Sequence, residues 1–79
     1  MINDPVPEDF TRALGKRLRS ALNARGFAVK RLASESGIHY NTALALVRGE
    51  RNPSAWALFK VCASLGVSAD WLLGLRGEK

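Results

Sequence analysis

The chain has 79 residues, 12 Lys and Arg against 7 Asp and Glu, a formal net charge of +5 and one cysteine. This length fits a single domain, the lone cysteine excludes a disulfide framework or a cysteine-based metal cluster, and no apolar run nears the roughly 20 residues that span a bilayer. The basic balance favours an acidic partner, with nucleic acid first.

Residues 1–7 hold two prolines and no periodicity, and read as a flexible arm. The acidic start MINDPVPEDF lacks the charged-then-apolar order of a signal peptide. Pro7, Glu8 and Asp9 suit a first helical turn, where Pro lacks only an orphan N–H and acids meet the positive end of the dipole. Phe10, Leu14, Leu18, Ala21 and Leu22 then recur at spacings of three and four, giving one apolar stripe. Gly26 ends this helix, with Arg25 in its last turn. A second helix is predicted over Val29–Ser36, with Leu32 and Ala33 inward and Ala28 standing where a capping Ser or Thr is usual.

Gly37 stops the second helix and Ile38 packs at the turn. A third helix follows over His39–Arg48. On a helical wheel Ala43, Leu46 and Val47 share one side, while Asn41, Ala45 and Arg48 share the opposite one. Thr42 and Leu44 lie on the flanks, and Tyr40 projects from the first turn. Gly49 ends the helix, and the polar loop of Glu50, Arg51, Asn52 and Pro53 follows. Pro53 and Ser54 open a fourth helix whose stripe is Leu58, Val61, Cys62 and Leu65, and Gly66 ends it. Ser68 caps a fifth helix, expected over Ala69–Leu75, and 76–79 read as a tail. With no strand-like alternation, the chain is predicted to be all-α, one domain over residues 8–75.

The cationic stretch Arg12, Lys16, Arg17, Arg19, Arg25, Lys30 and Arg31 contains no acid. It reads either as a solvated helix face or as a nucleic-acid footprint. Cys62 sits in the apolar run AWALFKVCASL and reads as a small core residue suited to a reducing cytoplasm. His39 has no second His or nearby Cys to complete a metal site, so capping or a phosphate bond is expected of it. Neither a Ser, His and Asp constellation, a carboxylate pair nor a phosphate-cradling loop is present. No enzyme, cofactor, metal or small-molecule ligand is expected.

Two short helices about Gly37 match the helix-turn-helix unit. Around them LGKRLRSALNARGF, RLASESGI, RGERNPS and SLGVSADWLLG follow in order. Over Phe10 to Gly74 the chain resembles the lambda-repressor and Cro type of helix-turn-helix domain, the XRE-like family. The resemblance implies a compact five-helix lambda-repressor-like fold with the helix-turn-helix at about 29–48. Its third helix would enter the major groove, with Tyr40, Asn41, Thr42, Leu44 and Ala45 toward base edges. Asn bonds bidentately to adenine, and Thr or Ala methyls meet the thymine methyl. Arg48, Arg51, Asn52, Ser54, Arg19 and Val29 would meet the phosphates, helped by the N–H groups opening the second and fourth helices.

The sequence departs from the family pattern in places. Val29 replaces a Gln that often contacts DNA, and Leu44 and Ala45 stand where polar residues are usual. Many relatives pair an Arg on the first helix with a Glu late in the third; here those positions are Leu22 and Val47. Removing one partner of a buried pair strands a charge at about 3–5 kcal/mol, whereas removing both is tolerated. Leu22 is therefore expected to pack on Val47.

By the same resemblance, Ala57, Ala69 and Trp71, with Trp56 and Leu75, would meet across a twofold. Trp56 lies off the fourth-helix stripe, so either the first helix or the arm covers it, or it marks a partner surface. No ligand-sensing domain is expected within these residues. The expected function is a cytoplasmic, homodimeric, sequence-specific DNA-binding repressor in a bacterium or phage-infected host. It would occupy a palindromic operator with half-sites about 10 base pairs apart. The alternative is an antitoxin or other protein-interaction module that keeps this fold.

Overall fold

The computed structural model describes residues 6–77, so most of the expected arm and the last two residues of the expected tail lie outside it. Five helices follow in order: α1 (Glu8–Arg25), α2 (Val29–Ser36), α3 (Tyr40–Val47), α4 (Ala55–Leu65) and α5 (Ala69–Leu73). No helix among the described residues is long and apolar enough to cross a membrane.

The spacing of apolar residues decides which face of each helix turns inward. Leu14, Leu18, Ala21 and Leu22 of α1 meet Leu32 and Ala33 of α2, Ala43, Leu46 and Val47 of α3, Val61, Cys62 and Leu65 of α4, and Trp71 and Leu72 of α5 in one core. Leu22 and Val47, expected to pack on one another, both lie in that core. Ser54 Oγ accepts from Ala57 N at 3.1 Å to cap α4, and Ser68 Oγ accepts from Trp71 N at 3.0 Å to cap α5. Neither α2 nor α3 has a side-chain cap: Ala28 and His39 stand at the capping positions, and the His39 ring makes no capping bond.

Two boundaries differ from expectation. The third helix is Tyr40–Val47, with His39 and Arg48 as its flanking caps. The fifth ends at Leu73, not Leu75, because Gly74 turns left-handed at φ 89° and the Leu75 N–H bonds back to Asp70 O at 2.7 Å. The sequence WLLG already held that stop.

Gly15 was not expected to matter, yet it sets how closely α1 lies against the end of α3. A Cβ there would sit 2.8 Å from Gly49 N, 2.9 Å from Gly49 Cα and 3.0 Å from Leu46 O. Only a residue without a side chain allows this approach.

The cationic stretch of α1 is also used differently from either reading. Arg17 Nη1 donates to Leu72 O at 3.2 Å, Arg19 Nη1 to Val47 O at 2.6 Å, and Arg25 Nη2 to Leu65 O. These carbonyls lie in the last turns of α5, α3 and α4, where they have no intrahelical partner and the dipole is negative. Arg12 pairs with Glu8 and Asp9, and Arg31 pairs with Glu35 and lies 4.1 Å over the Phe27 ring. Three of the seven cations thus join helices to one another.

Candidate nucleic-acid interface

The helix-turn-helix unit is built around Gly37. Its φ of 75° suits a residue without a Cβ, and Ile38 then anchors against the core as α3 begins. Because Ala43, Leu46 and Val47 are buried, the remaining residues of α3 form the outer face. Tyr40 and Asn41 are exposed, and Thr42, Leu44 and Ala45 are half-buried, so the five residues expected at base edges all keep accessible surface. Arg48 continues the same face and is exposed. The face carries one amide, one phenol and one hydroxyl among methyl groups.

Beyond α3 the chain turns through Gly49 at φ 72°, and Glu50 N bonds back to Ala45 O at 3.0 Å. Arg48 and Arg51 are exposed and make no ion pair among the described residues. Asn52 is half-buried and accepts, through Oδ1, a hydrogen bond from Thr11 Oγ1 at 3.0 Å. Ser54 is exposed but its oxygen is engaged as the α4 cap. Val29, half-buried at the start of α2, brings no side-chain polar group, and only backbone N–H groups are available there.

Arg19 is exposed, but its guanidinium is tied to Val47 O. Thr11, outside the loop, was missed by sequence reasoning because it acts across 41 residues. Glu50 places one exposed acid within the otherwise basic loop.

The candidate partner surface is narrower and shifted. Ala57 and Trp71 are each only 8% exposed and belong to the chain's own interior. They have little area to offer another molecule. Trp56 is 65% exposed, so α1 does not cover it, and Leu75 is 73% exposed. Phe59, not singled out from the sequence, is 61% exposed and stacks on Trp56 with centroids 5.5 Å apart and 12° between planes. Lys60 Nζ lies 5.3 Å from the Trp56 ring centre. Beside the pair runs an apolar groove of about 380 Å³, lined by Ala55, Leu58, Phe59, Cys62, Ala63, Val67 and Ala69. Burial pushes the Cys62 thiol pKa up from its ordinary value.

A helix-turn-helix family model matches residues 18–72, from the middle of α1 into α5. The chain belongs to the XRE-type helix-turn-helix family. Its members are DNA-binding transcription regulators, and this chain is one. Among solved structures, the clp gene regulator ClgR from C. glutamicum is similar at 31% identity and TM-score 0.73, over 89% of this chain and 87% of that one. The restriction-modification controller protein C.AhdI from Aeromonas hydrophila is similar at 29% identity and TM-score 0.74, over 78% of this chain and 94% of that one. A hypothetical transcription factor from Neisseria shares the fold at 24% identity and TM-score 0.76, over 92% of this chain and 85% of that one. No curated protein matches the chain.

Proposed function

We propose that this regulator is a repressor that binds a palindromic operator as a homodimer, with α3 of each copy in the major groove. The observation that carries the reading is the outer face of α3, where Tyr40 and Asn41 are exposed and Thr42, Leu44 and Ala45 keep accessible surface, beside Arg48 and Arg51, which make no ion pair among the described residues. Asn41 is the residue with the widest hydrogen-bond choice there, and adenine is its natural bidentate partner. The half-buried methyl groups of Thr42 and Ala45 suit thymine. With so few polar groups, DNA shape and deformability add to selection. Arg48 and Arg51, with Asn52 and the opening N–H groups of α2 and α4, supply phosphate contacts that fix register.

Pairing of two copies is supported by the Trp56 and Phe59 stack, with Leu75 and the groove floor at Ala69 contributing surface. Contiguous exposed apolar surface on a small domain favours an interface. The alternative, a protein-interaction module that keeps this fold, draws on the same stack with a different chain as its occupant. It predicts a monomer with no preferred DNA sequence.

The test is a binding titration on genomic DNA flanking the coding region, with random DNA as competitor. Specific binding that weakens steeply with salt is expected; absence of any preference over random DNA at moderate salt removes the repressor reading. Sedimentation of Trp56→Lys against the native chain tests pairing, with loss of the dimer expected.

A further inference from the structure

The loop after α3 is not held by its own backbone alone. Thr11, in the first turns of α1, reaches it from 41 residues away and donates its hydroxyl to Asn52 Oδ1 at 3.0 Å. An Asn side chain has one acceptor oxygen and a nitrogen with two N–H donors. The oxygen is the end that Thr11 holds. The nitrogen makes no hydrogen bond among the described residues, yet none of their buried side-chain nitrogens or oxygens lacks a partner. Asn52 Nδ2 therefore reaches solvent, between the exposed Arg51 and the start of α4. The backbone beneath is fixed as well, since a Cβ on Gly49 would come within 3.1 Å of Arg12 Cα.

An untethered amide turns freely and presents its oxygen to a phosphate about as readily as its N–H groups. The oxygen is repelled there and the N–H groups are attracted. We propose that Thr11 is a positioning residue for DNA binding: its hydroxyl holds Asn52 by the amide oxygen, so that the N–H pair is presented to a backbone phosphate. This rests on the reading of Asn52 as a phosphate contact. Thr11 itself need not touch DNA, and its effect is to remove the ordering of one side chain from the binding step.

The test uses the full chain and a random-sequence DNA duplex at low salt, because a phosphate contact is indifferent to sequence. Affinities are measured by fluorescence anisotropy for Thr11→Val, Thr11→Ser, Asn52→Ala and the Thr11→Val/Asn52→Ala double variant. Readings are taken well below each variant's melting temperature, so that all are fully folded. Thr11→Val keeps the shape and removes the donor, and is expected to weaken binding about two- to tenfold. Thr11→Ser keeps the donor and binds like the native chain. In the Asn52→Ala background Thr11→Val has no further effect.

None of these variants changes the salt slope, because neither residue is charged, whereas Arg51→Ala lowers it by about 0.9. A Thr11→Val effect that is absent, or equal in both backgrounds, while Asn52→Ala still weakens binding, overturns the positioning role and leaves the loop contact standing. If Asn52→Ala binds like the native chain, the phosphate contact fails and the positioning role fails with it.

Discussion

Replacing Gly15 by Ala sets two effects of known size against each other. In an exposed helix interior the change stabilises by about 1 kcal/mol, because Gly gives up more backbone freedom on folding. At Gly15 the added Cβ would lie 2.8 Å, 2.9 Å and 3.0 Å from Gly49 N, Gly49 Cα and Leu46 O. Ordinary carbon contacts are about 3.5–4.0 Å, so the overlap is roughly half an ångström or more on three atoms. All three are backbone, so no side-chain rotation relieves it. Overpacking of this kind costs about 1–3 kcal/mol, and backbone on both sides places this site toward the upper end.

The net expectation is a loss of about 1–2 kcal/mol, which lowers the melting temperature by roughly 5–15 °C in a domain of this size. Thermal and urea denaturation followed by circular dichroism measure it. Ala24→Gly, exposed on the same helix, is the control and shows propensity alone. A Gly15→Ala chain that melts at or above the native temperature would refute the close approach of α1 to α3.

Three further outcomes follow from other parts of the structure. Arg19→Ala removes the donor to Val47 O and is expected to destabilise by about 1 kcal/mol in urea denaturation, a charged hydrogen bond discounted for exposure. Asn41→Ala is expected to narrow the gap between operator and random DNA, while Arg51→Ala weakens both about equally in competition titrations. For Cys62, whose thiol pKa is raised by burial above its ordinary value, the unfolded chain ionises first as pH climbs. Its contribution is intact at neutral pH and is lost as pH rises through the folded value. The urea midpoint of Cys62→Ala should therefore fall less between pH 7 and strongly alkaline conditions than that of the native chain.

The helices were legible because their apolar spacing and glycine stops are local signals. Leu14, Leu18, Ala21 and Leu22 could be placed on one face of α1 from their spacing, and Ser68 could be read as a cap from its position before Ala69 and Asp70. The outer face of α3 followed from the same periodicity. What escaped was set by residues far apart in sequence. Nothing near Arg17, Arg19 or Arg25 says that the partners are Leu72, Val47 and Leu65, so a row of helix clasps reads as a basic surface. A lone Gly15 inside a helix looks like a tolerated weakness until Gly49 is brought against it. Phe59 was legible too, three residues after Trp56 and off the Leu58, Val61 and Leu65 stripe, a spacing that puts both aromatics on one outer face of α4. Ala57 and Trp71 were expected at a twofold contact by family likeness alone, and each is only 8% exposed in the single chain.

The hydrogen bond from Arg19 to the end of α3 also bears on how the domain opens. A helix of eight residues has too few turns to persist alone in water. Its far end is clasped by Arg19 and its last turn lies against Gly15. Fraying of α3 with α1 still docked would release both contacts at once, so the two helices belong to one cooperative unit. Backbone amides in the middle of α3 should exchange with solvent only as slowly as those of α1, through unfolding of the whole domain. On the proposed reading, α3 would then be ordered before DNA arrives, and discrimination between sequences would rest chiefly on how long each complex lasts.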